Sequence, residues 1–121
     1  MKTLLRVALF ASLLSTTALA HHGNAAFDVG KMLELKGNVT EWIWANPHCF
    51  LKFDVTDPNG TTRHWMAETT SPSRMQAIGW RKNSLKTGDR VTIDVVAVKD
   101  GRPAGRIVRV RLPDGQVLTA Q

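Results

Sequence analysis

A mainly β fold, closing as a small barrel of five to six strands with one short helix, is what this sequence predicts. Three observations carry the expectation. Apolar residues recur with period two through most of the chain after residue 31, the pattern of half-buried strands. Turn sequences such as Asp57-Pro58-Asn59-Gly60 separate the alternating runs. Helix start and stop signals occur together only around residues 71–79.

The elements follow in order. Residues 32–44 place Leu33, Leu35, Val39 and Ile43 on one face, and Glu34, Lys36, Asn38, Thr40, Trp42 and Trp44 on the other. Gly37 in mid-strand suggests a bulge or a sharp coil. Pro47 lacks a donor and ends the ladder. A second strand over 48–55 turns Cys49, Leu51, Phe53 and Val55 inward, and a third covers 61–68. Ser71 is a plausible N-cap with Pro72 at the first helical position, and Gly79 is the stop. Met75 and Ile78 then face the core. Strands return over 90–98 and 106–112, and residues 116–118 form a short last strand. Three strands, a short helix and two further strands is the order of an OB-like Greek-key barrel, whose first strand is long and coiled. Another small barrel or a sandwich gives a similar string.

Residues 1–20 read as an export signal. Lys2 and Arg6 precede a short apolar stretch, and Ala18 and Ala20 supply the small side chains of a cleavage site. The apolar run falls well short of the ~20 residues of a membrane-spanning helix. The expected product is a soluble periplasmic protein that starts at His21, with an arm over 21–30 and one domain over 31–121. Its formal charge is +4, from 14 basic and 10 acidic side chains. Residues 81–121 hold nine Lys/Arg against four Asp/Glu, which favours anionic partners such as an envelope surface. Compartment argues against nucleic acid. Cys49 is the only cysteine, so no internal disulfide forms and the fold rests on its apolar core.

Strand parity points His48 and Phe50 outward, with His64, Met66 and Glu68 outward on the next strand. The same count puts Trp42 and Trp44 on that exterior face, and a one-residue slip would scatter the set. Three covers are open for such a face: the folded-back arm, a partner or ligand, or loops and helix that make it ordinary core. An arm of ten residues reaches roughly 33 Å.

A chain that begins with His offers an α-amine and an imidazole to one metal ion, and the amine titrates near 8. His22 adds a ring, and His48 or His64 completes the site if the arm folds back. Amine and imidazoles suit a copper(II) ion, and Met66 suits copper(I). The candidate metal ligands are therefore His21, His22, His48, His64 and Met66, with Trp42, Trp44 and Trp65 as shielding residues. The plainer alternative is a frayed terminal pair, a loop-tying His48 and a solvated His64. No zinc-type spacing, phosphate loop or nucleophile elbow is present, so no enzymatic activity is expected. The competing reading is an interaction module that uses the aromatic face or the basic C-terminal part, without a metal.

The segments His21-His22-Gly23, Asn46-Pro47-His48 and Gly79-Trp80, with Ser84-Leu85-Lys86 and Gly88-Asp89, complete the pattern. Over residues 21–118 the chain resembles a family of small exported proteobacterial proteins catalogued as a domain of unknown function, numbered 6152. That resemblance implies export and one β-rich domain, and brings no established activity. A looser likeness is to the periplasmic OB-fold chaperones for Cu(I) and Ag(I), through His48, Trp65-Met66 and the segment 85–91. Those proteins use two Met ligands, whereas one Met lies on the third strand here and Met75 falls in the helix.

Overall fold

The computed structural model describes residues 24–121. A 3-10 turn, Asn24–Ala26, leads into β1 (Phe27–Ile43), followed by β2 (Phe50–Thr56), β3 (Thr62–Glu68), α1 (Pro72–Ala77), β4 (Arg90–Val98), β5 (Ala104–Arg111) and β6 (Val117–Thr119). The expected export signal, His21, His22 and the first residues of the expected arm lie outside the described residues.

Closure follows from the pairing. β1 pairs antiparallel with both β2 and β4, β2 with β3, and β4 with β5. Parallel pairing of Met66–Glu68 with Ala104–Arg106 joins β3 to β5 and shuts the ring in the order 1-2-3-5-4-1. This is the OB-like barrel expected from the element order, with β6 added outside β5. Seventeen residues of strand would extend roughly 56 Å if straight. β1 instead coils, pairing with β4 through Asn38 and with β2 from Asn38 onward. Gly37 stands at that crossover. A Cβ there would lie 2.6 Å from the Asp54 carbonyl oxygen and 3.0 Å from the Phe53 ring, so only glycine allows the strands to approach this closely.

β1 begins five residues earlier than the alternation from Met32 suggests, so the later part of the expected arm is strand. Phe27 opens it, buried beneath the Arg106 guanidinium 4.3 Å from its ring centre. The core is filled by alternate residues of all five barrel strands, among them Val39, Leu51, Phe53, Trp65, Ile93 and Ile107. α1 plugs one end with Met75, which accepts a hydrogen bond from Thr69 Oγ1 at its sulfur (3.0 Å).

Ile78 departs from the expected inward position and is 49% exposed. The helix ends at Ala77, and Ile78 leaves the helical path with φ −103° and ψ 16°. Gly79, at φ +96°, then redirects the chain so that Trp80 enters the core instead.

Cys49 lies fully inside, and burial pushes its thiol above the usual cysteine range, against a smaller opposing effect of a hydrogen bond with the Ala45 backbone. A thiol that gains its proton affinity on folding stabilises the fold below the unfolded pKa of roughly 8.5 and loses that contribution as pH rises further. Cys49 is therefore expected to react with a disulfide reagent only at the rate of unfolding, and denaturant midpoints are expected to fall above about pH 9. A fast native-state reaction would contradict its placement.

Candidate functional site

The β2–β3 hairpin builds the wall on which the sequence places its chemistry. The register pairs Phe50 with Glu68, Lys52 with Met66 and Asp54 with His64, while Leu51–Ala67 and Phe53–Trp65 form the alternate, inward pairs. Residues directly opposite each other share a face. Phe50, Met66, His64 and Glu68 therefore sit on the outer surface, as strand parity requires.

The tryptophans do not join them. The register slips between Val39 and Glu41, leaving Thr40 as an extra residue in β1. Trp42 then lies opposite inward-facing Leu51, and Ile43 lies opposite Phe50. Trp42 and Trp44, expected outside, instead pack half-buried against the core, with the Trp42 ring 5.3 Å from Trp80 and 5.8 Å from Trp44. Trp65 is buried and stacks on Phe53 at 6.1 Å. Of the expected Trp and Phe platform, Phe50 alone stays on the outer wall, its ring 6.4 Å from that of His48.

Each histidine of the wall is fixed through Nδ1. At His48 this nitrogen lies 2.8 Å from the Thr69 carbonyl oxygen. A carbonyl only accepts, so Nδ1 is the donor in this contact, which leaves Nε2 outside it. His64 Nδ1 lies 2.6 Å from Asp54 Oδ1, with its ring 82% exposed. Metal-binding histidines are held by a second partner in the same way, and so are histidines that only tie one strand or loop to another.

The two rings are not close. His48 precedes Asp54, the partner of His64, by six residues, about 20 Å along extended chain. No ion touches both. Met66 stands between, 45% exposed.

A cavity of about 480 Å³ opens beside the His48 end of the wall, lined by Ala25, Ala26, Phe27, Phe50, Met66 and Glu68, among others. His48 lines a smaller adjoining hollow of about 210 Å³ with Glu68 and Arg106. Glu68 belongs to both, and its Oε1 lies 3.7 Å from Arg106 Nη2. The first described residues of the chain thus border the same carboxylate as His48. Sequence reasoning missed Phe27 and Arg106, whose stacking fixes the start of β1 here; Phe27 stood apart from the alternating pattern, behind Gly30 and Lys31. Among the described residues, no three His, Cys, Asp or Glu side chains gather as a ready-made metal cage.

Residues 9–107 match the family model described as a family of unknown function (DUF6152). The chain belongs to this family. The matched span covers β1 to β4, α1 and the start of β5, and so includes His48, Phe50, His64, Met66, Glu68 and Arg106, while β6 falls outside it. None of the curated proteins or solved structures compared with the chain matches it. Within this DUF6152 chain, no helix of the described residues is long and apolar enough to cross a membrane.

Proposed function

We propose that this protein is an exported, periplasmic, non-enzymatic binding protein that holds one copper ion at the His48 end of the wall. The ligands are the α-amine and ring of His21, the ring of His22 and Nε2 of His48, with Glu68 and Met66 as neighbouring donors. The observation that carries the reading is the shared carboxylate: Ala25 and His48 line adjoining hollows that meet at Glu68. Ala25 lies four positions after His21, a reach of up to about 14 Å. Amine, imidazole and carboxylate donors favour copper(II), with Met66 available to copper(I). The distance along β2 favours His48 over His64 as the wall ligand. Tryptophan shielding has no support, because Trp42, Trp44 and Trp65 pack on the inner side.

Mass spectrometry of the exported protein is expected to give a chain starting at His21. Copper(II) titration of that chain is expected to show one-to-one binding. His48→Ala should weaken it by more than the 10–100-fold typical of losing an orienting partner of a ligand. One glycine added before His21 should weaken it comparably, and His64→Ala should leave it unchanged. Binding indifferent to both His48 and the added glycine would sink the proposal.

The competing interaction-module reading loses its aromatic face for the same reason that the shield does. Its basic half leads to a different part of the barrel.

A further inference from the structure

The outer face of β1, β4 and β5 carries a carboxylate where solvent is expected. Asp94 points to the outside of β4 yet is 2% exposed, because Arg109 and Arg111 of β5 close over it. Arg109 Nε donates to Asp94 Oδ2, while Arg111 Nη2 donates to Asp94 Oδ1 at 3.0 Å and to Glu34 Oε2 at 2.7 Å. Arg111 makes both contacts through one nitrogen, and its buried Nε has no partner among the described residues.

A groove of about 430 Å³ runs beside this clamp, lined by Lys36, Asn38, Asp54, Arg90, Thr92 and Arg111, among others. Thr92 lies directly between Lys36 on β1 and Arg111 on β5. Opposed residues on neighbouring strands are about 5 Å apart, so the Lys36 and Arg111 backbones stand about 10 Å apart with Arg90 two residues along β4. Three long cationic side chains at that spacing can converge on one oxyanion. Glu34 and Asp94 are paired with the arginines, while Asp54, also in the lining, is hydrogen-bonded to His64. Lys36 and Arg90 have no carboxylate within ion-pair distance among the described residues.

We propose that this groove binds a phosphomonoester. Lys36 and Arg90, without carboxylate partners among the described residues, outweigh the one Asp54 carboxylate of the lining. They favour a group with a charge of about −1.5 to −2 at pH 7, whose three oxygens match three cationic groups. The groove is larger than a phosphate, and Asn38 and Thr92 offer an amide and a hydroxyl to a hydroxylated body attached to it. The site is separate from the copper site and stands or falls without it.

The test is an amide-shift titration of the mature protein in 0.15 M salt with glucose 6-phosphate, with inorganic phosphate, and with phosphatidylcholine vesicles with or without phosphatidic acid. Saturable shifts at residues 36, 38 and 92 are expected. Shifts with glucose 6-phosphate identify a soluble ligand, and binding confined to phosphatidic acid vesicles identifies a lipid headgroup. The exposed pair K36Q/R90Q should raise Kd at least about tenfold. The loop pair K82Q/K86Q, which removes equal charge elsewhere, should leave it nearly unchanged. Equal weakening by both pairs, or no saturable shift with any probe, overturns the proposal.

Discussion

Trp80→Ala is expected to lower stability by about 3–5 kcal/mol, the range for deleting a large buried aromatic. Trp80 is fully buried, and its Nε1 donates to the Thr119 carbonyl oxygen at 2.8 Å. Its backbone N–H donates to the Met75 carbonyl oxygen at 3.0 Å, which fastens it to α1. Its ring meets Trp42 at the end of β1. One side chain thus ties the helix, the long strand and β6 together where the barrel would otherwise be open. The truncation leaves a cavity, and several walls belong to different elements and cannot collapse jointly. Against a total of about 5–15 kcal/mol for a domain of this kind, the loss brings the chain close to unfolding. Trp80→Phe separates the contributions: it keeps most of the packing and strands the Thr119 carbonyl, and is expected to cost about 1–3 kcal/mol. Urea unfolding followed by far-UV circular dichroism measures both. A Trp80→Ala midpoint near that of the unaltered chain would show that this end is not closed by Trp80.

How much of this was legible in sequence differs by element. The β2–β3 hairpin was readable because its alternation is unbroken and Asp57-Pro58-Asn59-Gly60 fixes the turn; the outward placement of Met66 and His64 follows directly. The element order suggested an OB-like barrel without separating it from other small barrels or a sandwich. The β3–β5 pairing that closes the ring came only with the structure. The Trp42 and Trp44 faces were not, because the extra residue, Thr40, is polar and exposed and leaves no gap in the pattern. A single unmarked bulge turned Trp42 and Trp44 inward and Ile43, expected inside, to the Phe50 side. Ile78 failed because Met75 and Ile78 share a helical face only while the helix lasts, and it stops at Ala77. At the candidate site, His48 was visible but its orientation was not. The carbonyl that sets its tautomer belongs to Thr69, twenty-one residues away, and reaches it only when β3 lies beside β2. Asp94 shows the same limit from the other side. Nothing in the sequence around Asp94 marks it as buried, and only the pairing of β5 brings two guanidinium groups over it.

That buried carboxylate gives the second large effect, and an asymmetric one. The double variant R109Q/R111Q is expected to destabilise the protein more than any other change at this cluster, because it leaves the Asp94 charge unpaired under side chains that still cover it. Glutamine keeps much of each arginine stem, so the loss is mainly of charge. Asp94→Asn removes the other half of the same contact and is expected to cost less, about 1–3 kcal/mol. The arginine side chains are 46% and 37% exposed against 3% for Asp94, so water can solvate them once their partner is neutral. Replacing all three groups, as D94L/R109M/R111L, should recover most of the loss, since an apolar cluster of similar volume carries no desolvation cost. Denaturant midpoints for the three variants test the order directly. If Asp94→Asn proves as damaging as the double arginine variant, the cost lies in geometry and not in the buried charge. If the double variant is nearly neutral, Asp94 is reached by water, and the guanidinium that borders the groove loses its support.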